Sequence, residues 1–231
     1  MKVVSYNLHK GIGPRKRDIL PDVVEAVAAL DPDILVCQEV LHRLDVATQS
    51  QFITTSLGHR HAFGPNVFRT RGDHGNAVFT RLHMARYANL NLTESFLERR
   101  GMLRVWLEDA GRPFELLAVH FSLTGTQRRR QWHRLLQALP EDPAMPVLAC
   151  GDFNDWSGHL DRLAKRSGVL TNALWQLSPR MRRTFPARRP LLGLDRIYYR
   201  GFTLRSIRVL TGEPWNRLSD HLPVEAVFEP G

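Results

Sequence analysis

No stretch of this 231-residue chain approaches the ~20 consecutive apolar residues that cross a bilayer, which excludes an apolar membrane-spanning helix. Internal repeats, low-complexity tracts and linkers are absent, so neither a solenoid nor a string of separate modules is indicated. Cysteine is scarce. Cys37 and Cys150 each close a short apolar run, Ile34-Leu35-Val36-Cys37 and Val147-Leu148-Ala149-Cys150. Two buried free thiols are expected, and no zinc-like cysteine spacing exists. The N-terminal Met1-Lys2-Val3-Val4-Ser5-Tyr6-Asn7 enters a strand-like run without the apolar core or cleavage site of a secretory signal, so a cytoplasmic location is expected. Acids are outnumbered: 23 Asp and Glu against 32 Lys and Arg leave a net charge of +9. Arginines cluster at Arg15-Lys16-Arg17, at Arg128-Arg129-Arg130 and between Arg180 and Arg189. A basic surface favours polyanions such as nucleic acid or acidic lipid headgroups.

What is present is an ordinary globular mix, 43% hydrophobic and 24% charged, long enough for one sizeable core, so residues 1–231 are expected to form a single domain. Strand-like and helix-like segments alternate. Strands are expected at 1–7, 33–40, 76–80, 102–107, 114–121, 146–151, 194–199, 202–210 and 222–228. Asp109-Ala110-Gly111-Arg112 is a hairpin signal. Helices are expected at 22–30 with Pro21 at the start, 45–57 ended by Gly58, 126–139, and 157–166 with Ser157 as cap and Gly168 as stop. Trp132, Leu135, Leu136 and Leu139 share one face of the third. The mixture points to an α/β sandwich with layered sheets.

Strongly polar residues recur at the ends of apolar strands. Asn7 follows Val3–Tyr6, Gln38 and Glu39 follow Ile34–Cys37, and His120 follows Leu116–Val119. Asp152 and Asn154 follow Pro146–Gly151, Asp195 opens Arg196–Tyr199, and Ser219-Asp220-His221 precedes Leu222-Pro223-Val224. Singly, each has a bland explanation: an Asp at a strand end is more often a turn or cap, and a lone His more often a satisfied core residue. Buried acids, however, are costly unless paired or bound to a cation. Several of them with two histidines look like a site gathered at one sheet edge.

The order of these elements carries more than any one of them. Ser5-Tyr6-Asn7, Gln38-Glu39, Gly151-Asp152-Phe153-Asn154, Leu194-Asp195-Arg196-Ile197 and Ser219-Asp220-His221-Leu222-Pro223 together resemble the motif series of the endonuclease/exonuclease/phosphatase superfamily, which includes deoxyribonuclease I and exonuclease III. His74-Gly75-Asn76-Ala77 and Val119-His120-Phe121 resemble two further strands of that series, so the resemblance spans Ser5 to Pro223. It implies an α/β (α+β) fold, a four-layer α/β/β/α sandwich of two packed mixed sheets with the site at one rim. It also implies a Mg²⁺-dependent phosphodiesterase, with Mn²⁺ as a substitute, that hydrolyses its ester by in-line attack of water.

By that resemblance Glu39 is the main metal ligand, Asn7 a ligand or the partner of one, and Asp220 lies near the metal. His221 is the general base and Asp195 its orienting carboxylate. Asp152 and Asn154, two apart on an extended backbone, flank the attacking water and a phosphate oxygen. His120 donates to a non-bridging oxygen; Asn76 and Arg183 are candidate phosphate contacts. Nucleic acid is the expected substrate, with phospholipid or a small phosphoester as the alternative and a non-catalytic nucleic-acid-binding module as a third reading. Trp156, Trp175 and Trp215 are candidates to stack on bases or sit at a lipid interface, against the commoner burial of aromatics. No heptad or exposed apolar helix argues for self-association, so a monomer is expected.

Overall fold

Adjacent residues of the central strands part company, one going to each face of a sheet. Val3 joins one core and Val4 another; Ile34 and Leu35, Leu116 and Leu117, and Leu148 and Ala149 divide in the same way. Strands this apolar on both faces must be covered on both, and the computed structural model shows how. It describes residues 1–13, 17–43, 48–67, 72–95 and 98–231. The expected helix start at 45–47 and the basic Arg15 and Lys16 lie outside the described residues.

In chain order the elements are β1 (Lys2–Asn7), α1 (Leu20–Ala28), β2 (Ile34–Arg43), α2 (Gln49–Leu57), β3 (Arg60–Val67), β4 (Gly72–Thr80), β5 (His83–Asn91), β6 (Gly101–Asp109), β7 (Arg112–His120) and α3 (Gly125–Gln137). There follow β8 (Val147–Asp152), α4 (His159–Ser167), β9 (Thr171–Asn172), β10 (Asp195–Arg200), β11 (Phe202–Val209), α5 (Trp215–Leu218) and β12 (Val224–Pro230). The strands form two six-stranded mixed sheets, ordered β11-β12-β1-β2-β4-β3 and β5-β6-β7-β8-β10-β9. Three cores make four layers. Val3, Ile34, Val36, Ala118, Leu148 and Cys150 fill the space between the sheets. Val4, Leu35, Cys37, Val23 and Val27 join the first sheet to α1. Leu117, Ala149, Trp132, Leu135 and Leu160 join the second to α3 and α4. The two cysteines are buried and free, in different cores.

Local chemistry sets most boundaries. Thr48 and Gln51 form a reciprocal capping box at the start of α2, and Gly58 ends it with a left-handed backbone. Ala110 (φ 49°) and Gly111 (φ 80°) make the tight turn between β6 and β7. Ser157 does not cap α4 as expected. Asp155 does, its carboxylate accepting from the Ser157 hydroxyl and from the backbone N–H of His159 and Leu160 at 2.9–3.1 Å. A carboxylate satisfies several orphan N–H groups where one hydroxyl satisfies one. Three strands had no expectation, among them the two-residue β9 at the edge of the second sheet. Both β3, which contains Gly64 and Pro65, and the polar β5 lie at sheet edges, where a strand needs little apolar character.

Candidate active site

The stripe of side chains that fills the space between the sheets is apolar until it nears one rim. There it turns polar on every central strand. Val3 and Ser5 lead to Asn7 on β1; Ile34 and Val36 lead to Gln38 on β2; Ala118 leads to His120 on β7; Cys150 leads to Asp152 on β8. Register does the gathering. His120 pairs with Asp152 between β7 and β8, and Asp152 pairs with Asp195 between β8 and β10, so three functional side chains stand in one row. Asn7 pairs with Gln38 on the facing sheet. Asn7 Nδ2 donates to Asp152 Oδ2 at 3.3 Å, joining the two rows across the rim. The last member arrives on the loop before β12, where the Ser219 hydroxyl donates to the Asn7 carbonyl (2.7 Å) and places His221 over the row.

His221 Nδ1 is 2.9 Å from Asp195 Oδ2, and His221 Nε2 is 3.8 Å from Asp152 Oδ2. Asp195 is fully buried and His221 nearly so. Thr184 Oγ1 accepts from the Asp195 backbone N–H, and the Phe185 ring lies 4.9 Å from the imidazole. Burial opposes a charge on His221, but Asp195, Asp152 and Asp220 outweigh it and hold the ring protonated well above its ordinary range. Burial also pushes Asp152 up, and the field of Asp195 adds to it, while His221 and the N–H of Asn154 work the other way. His120 Nε2 is 3.5 Å from Asp152 Oδ2. Burial, with Arg100, His221, His74 and Lys10 nearby, drives His120 well below its ordinary value, so at neutral pH it is an uncharged donor. Asn154 donates through Nδ2 to the Phe121 carbonyl, and its backbone N–H donates to Asp152 Oδ1.

Glu39 sits in a β-bulge between Cys37 and Val40, with φ 55°. A bulge re-aims a side chain, and Glu39 meets Lys10 Nζ at 3.1 Å. Burial opposes its charge, but Lys10, His9 and Arg100 win and hold the carboxyl below its usual range. The Asp220 side chain is 41% exposed, with His9 Nδ1 at 3.7 Å. Of the six non-glycine residues with left-handed backbone among those described, His9, Lys10, Glu39 and Asn154 belong to this cleft. Strain of this kind concentrates where side-chain placement matters more than local stability. Gly151 (φ 144°) belongs with them: a Cβ there would stand 2.0 Å from the Val119 carbonyl, so the strand carrying Asp152 tolerates no side chain at that point.

Two sequence candidates fall elsewhere. Asn76 is fully buried, and its amide donates to the carbonyls of Gly101 and Ala118 on the opposite sheet. Both amide hydrogens are committed, leaving none for a phosphate. Arg183 is partly exposed in the loop before β10, and no described contact ties it to the cleft. Its neighbours Arg188 and Arg189 do reach the site, lining a cavity of about 420 Å³ with His9, Ser219 and Asp220. Three basic residues had no sequence expectation: His9, Lys10 and Arg100. Arg100 precedes β6, whose Met102 pairs with Val119 beside His120. It bonds Glu98, its Nε is buried without a partner, and its charge bears on Glu39, Asp152 and His120. Only proximity in the fold reveals it. A hollow of about 1100 Å³ on the outer α1 and α5 face is remote from all of this.

A family model described as Endonuclease/Exonuclease/phosphatase family matches residues 4–221. The uncharacterized protein YbhP of Escherichia coli is 33% identical over 97% of this chain and 94% of its own length. The crystal structure of an endonuclease/exonuclease/phosphatase from Beutenbergia cavernae superposes with a TM-score of 0.87 at 20% identity, covering 100% of this chain and 72% of that one. The human nocturnin catalytic domain with bound sulfate superposes with a TM-score of 0.80 at 26% identity, covering 100% and 93%.

Proposed function

This chain belongs to the endonuclease/exonuclease/phosphatase family and is a phosphoesterase, and we propose that it cleaves nucleic-acid phosphodiester bonds by in-line attack of water, with Mg²⁺ or Mn²⁺ as cofactor. One observation carries this reading: the buried Asp195–His221–Asp152 series, at 2.9 and 3.8 Å, opens at the same rim as Glu39, Asn7 and Asp220.

Divalent metals are general in the family, and the chemistry of these side chains fits one. Glu39, Asp220 and the Asn7 carboxamide offer hard oxygen donors. Two buried acceptors, Asp195 Oδ1 and Gln38 Oε1, have no hydrogen-bond partner, so oxygen lone pairs at the rim remain unsatisfied. Among the described residues no three His, Cys, Asp or Glu side chains enclose an ion by themselves. The remaining positions therefore fall to water, which Mg²⁺ retains readily. Bound there, the cation neutralises phosphate charge and makes water a stronger acid.

The chain's own groups do the rest. Arg100, the uncharged His120 and Asn154 hold the non-bridging oxygens. As the new oxygen–phosphorus bond forms, the ester bond on the opposite side of phosphorus breaks; the proton of the attacking water passes to the Asp152–His221 pair, and the departing oxygen takes a proton from solvent. Both members bind a proton more tightly than usual, so the pair acts as one unit rather than as two bases. Asp195 fixes Nδ1 of His221, leaving Nε2 to exchange the proton, and stabilises the imidazolium. The net charge of +9 and the arginines around the cleft favour a polyanion. The cavity of about 420 Å³ beside Asp220 supports a second reading, a small phosphoester held by Arg188 and Arg189.

The test is hydrolysis of plasmid, oligonucleotide, phospholipid vesicles and small phosphoesters in Mg²⁺ or Mn²⁺, by wild type and His221→Ala. Cleavage of nucleic acid lost in the variant supports the reading. Activity confined to small esters selects the second. An unchanged rate in His221→Ala refutes the assigned proton acceptor.

A further inference from the structure

Trp156 is the exposed aromatic of the catalytic loop: 62% of the residue is open to solvent, while Trp215 is buried and Trp175 is partly covered. The fold holds it there. Asn154 lies two residues past the end of β8, the Trp156 N–H returns to the Asn154 carbonyl at 3.1 Å, and the intervening Asp155 is buried and locked as the α4 cap. The indole therefore leaves the loop two residues beyond a phosphate-holding side chain, on a support with little freedom. The Arg128 guanidinium lies 5.7 Å from the ring centroid. Arg128 is itself 97% buried and donates to the carbonyls of Ser122 and Leu123, just past His120. Its charge is fixed beside the cleft. Next to it opens a cavity of about 290 Å³ lined by Arg128, Arg129, Arg162 and His159. The acid in that wall, Asp155, spends both oxygens on the α4 terminus. His159 Nε2 is buried without a partner.

A flat apolar ring, a fixed cation over it and a cationic hollow beside it match one repeat of a single nucleic-acid strand: a base to stack and a phosphate to hold. We propose that Trp156 with Arg128, Arg129 and Arg162 forms a subsite for the nucleotide flanking the scissile phosphate, and that the preferred substrate is single-stranded at that position. Paired bases in a duplex have no free face to offer the indole. The subsite deepens the nuclease reading and rests on it for the direction of the strand, but binding can be measured without turnover.

The experiment is fluorescence anisotropy in EDTA with labelled oligo(dT) and oligo(U) of about 12 nucleotides, the matching duplex, and anionic phospholipid vesicles as a separate arm. Trp156→Ala should weaken single-strand binding about tenfold or more, and Trp156→Phe should recover most of it. Arg129→Ala with Arg162→Ala should flatten the dependence of binding on salt. Quenching of indole fluorescence by the same strand, lost in Trp156→Phe, reports the stack directly and covers the case of a misfolded alanine variant. Wild-type affinity in Trp156→Ala, or undiminished quenching in Trp156→Phe, overturns the proposal. So does an equal loss on duplex, or Trp156-dependent binding to vesicles with none to either strand. Hydrolysis of bis(p-nitrophenyl) phosphate, which has no base, tests the catalytic reading apart. If His221→Ala retains it, that reading falls while the binding result stands.

Discussion

Asp195→Asn replaces one oxygen by an amide nitrogen and removes a charge 2.9 Å from the His221 ring, at a fully buried position. In wild type His221 is held at about 10 against an ordinary 6.5, with burial working against this and Asp195 first among the groups working for it. That gap corresponds to about 5 kcal/mol of preference for the imidazolium. With Asp195 neutralised, burial is opposed mainly by Asp152 and Asp220, and the ring should titrate near or below its ordinary value. Proton NMR of the His221 ring in EDTA measures this directly. Stability should follow with a definite sign. A group whose folded value lies above its unfolded value stabilises the fold fully below about 6.5, and that contribution disappears as pH rises through about 10. Urea unfolding should therefore show wild type losing more stability than the variant between neutral pH and 10. Hydrolysis at neutral pH should fall on the order of 10³-fold or more, since the amide can also turn Nδ1 into the wrong tautomer. A variant ring that still titrates above about 8 would show that Asp195 is not what charges His221, and the proton relay would lose its basis.

Asp152→Asn should abolish turnover with the fold intact by circular dichroism, because it removes one half of the proton-accepting pair; retention of more than about a tenth of the wild-type rate would assign the proton elsewhere. Chelation should silence the enzyme, Mg²⁺ or Mn²⁺ should restore it, and Glu39→Ala should need about tenfold more metal, read by calorimetry as well as by rate. Arg100→Leu should raise KM for a phosphodiester about tenfold, with a smaller change in kcat; the reverse pattern would place Arg100 in the chemical step. Trp132→Ala empties a cluster in which Phe153 and Tyr198 pack 6.3 and 5.0 Å away beneath the catalytic loop, and urea unfolding should show a loss of about 3–5 kcal/mol.

The sequence exposed the site more fully than it exposed the scaffold. Polar residues that end apolar strands are conspicuous because burial makes them costly, and Asn7, His120, Asp152, Asp195 and His221 all carry that mark. The edge strands β3 and β5 carry no such mark, since half-solvated backbone needs no apolar run. Asp155 and Ser157 compete for one helix terminus, and only the path of the loop decides between them. Asn76 has the signature of a phosphate contact, but its amide ties the two sheets together instead. Arg100, Lys10 and His9 reach the cleft through long side chains or left-handed backbone, neither of which leaves a local pattern.

The position of β12 between β11 and β1 has a temporal consequence. A polypeptide leaving the ribosome presents Glu39 and Asp152 first, and the imidazole arrives later, on the segment that threads into the sheet beside β1. Chains that stop short of that segment would thus lack the imidazole, and hydrolytic competence would coincide with closure of β12.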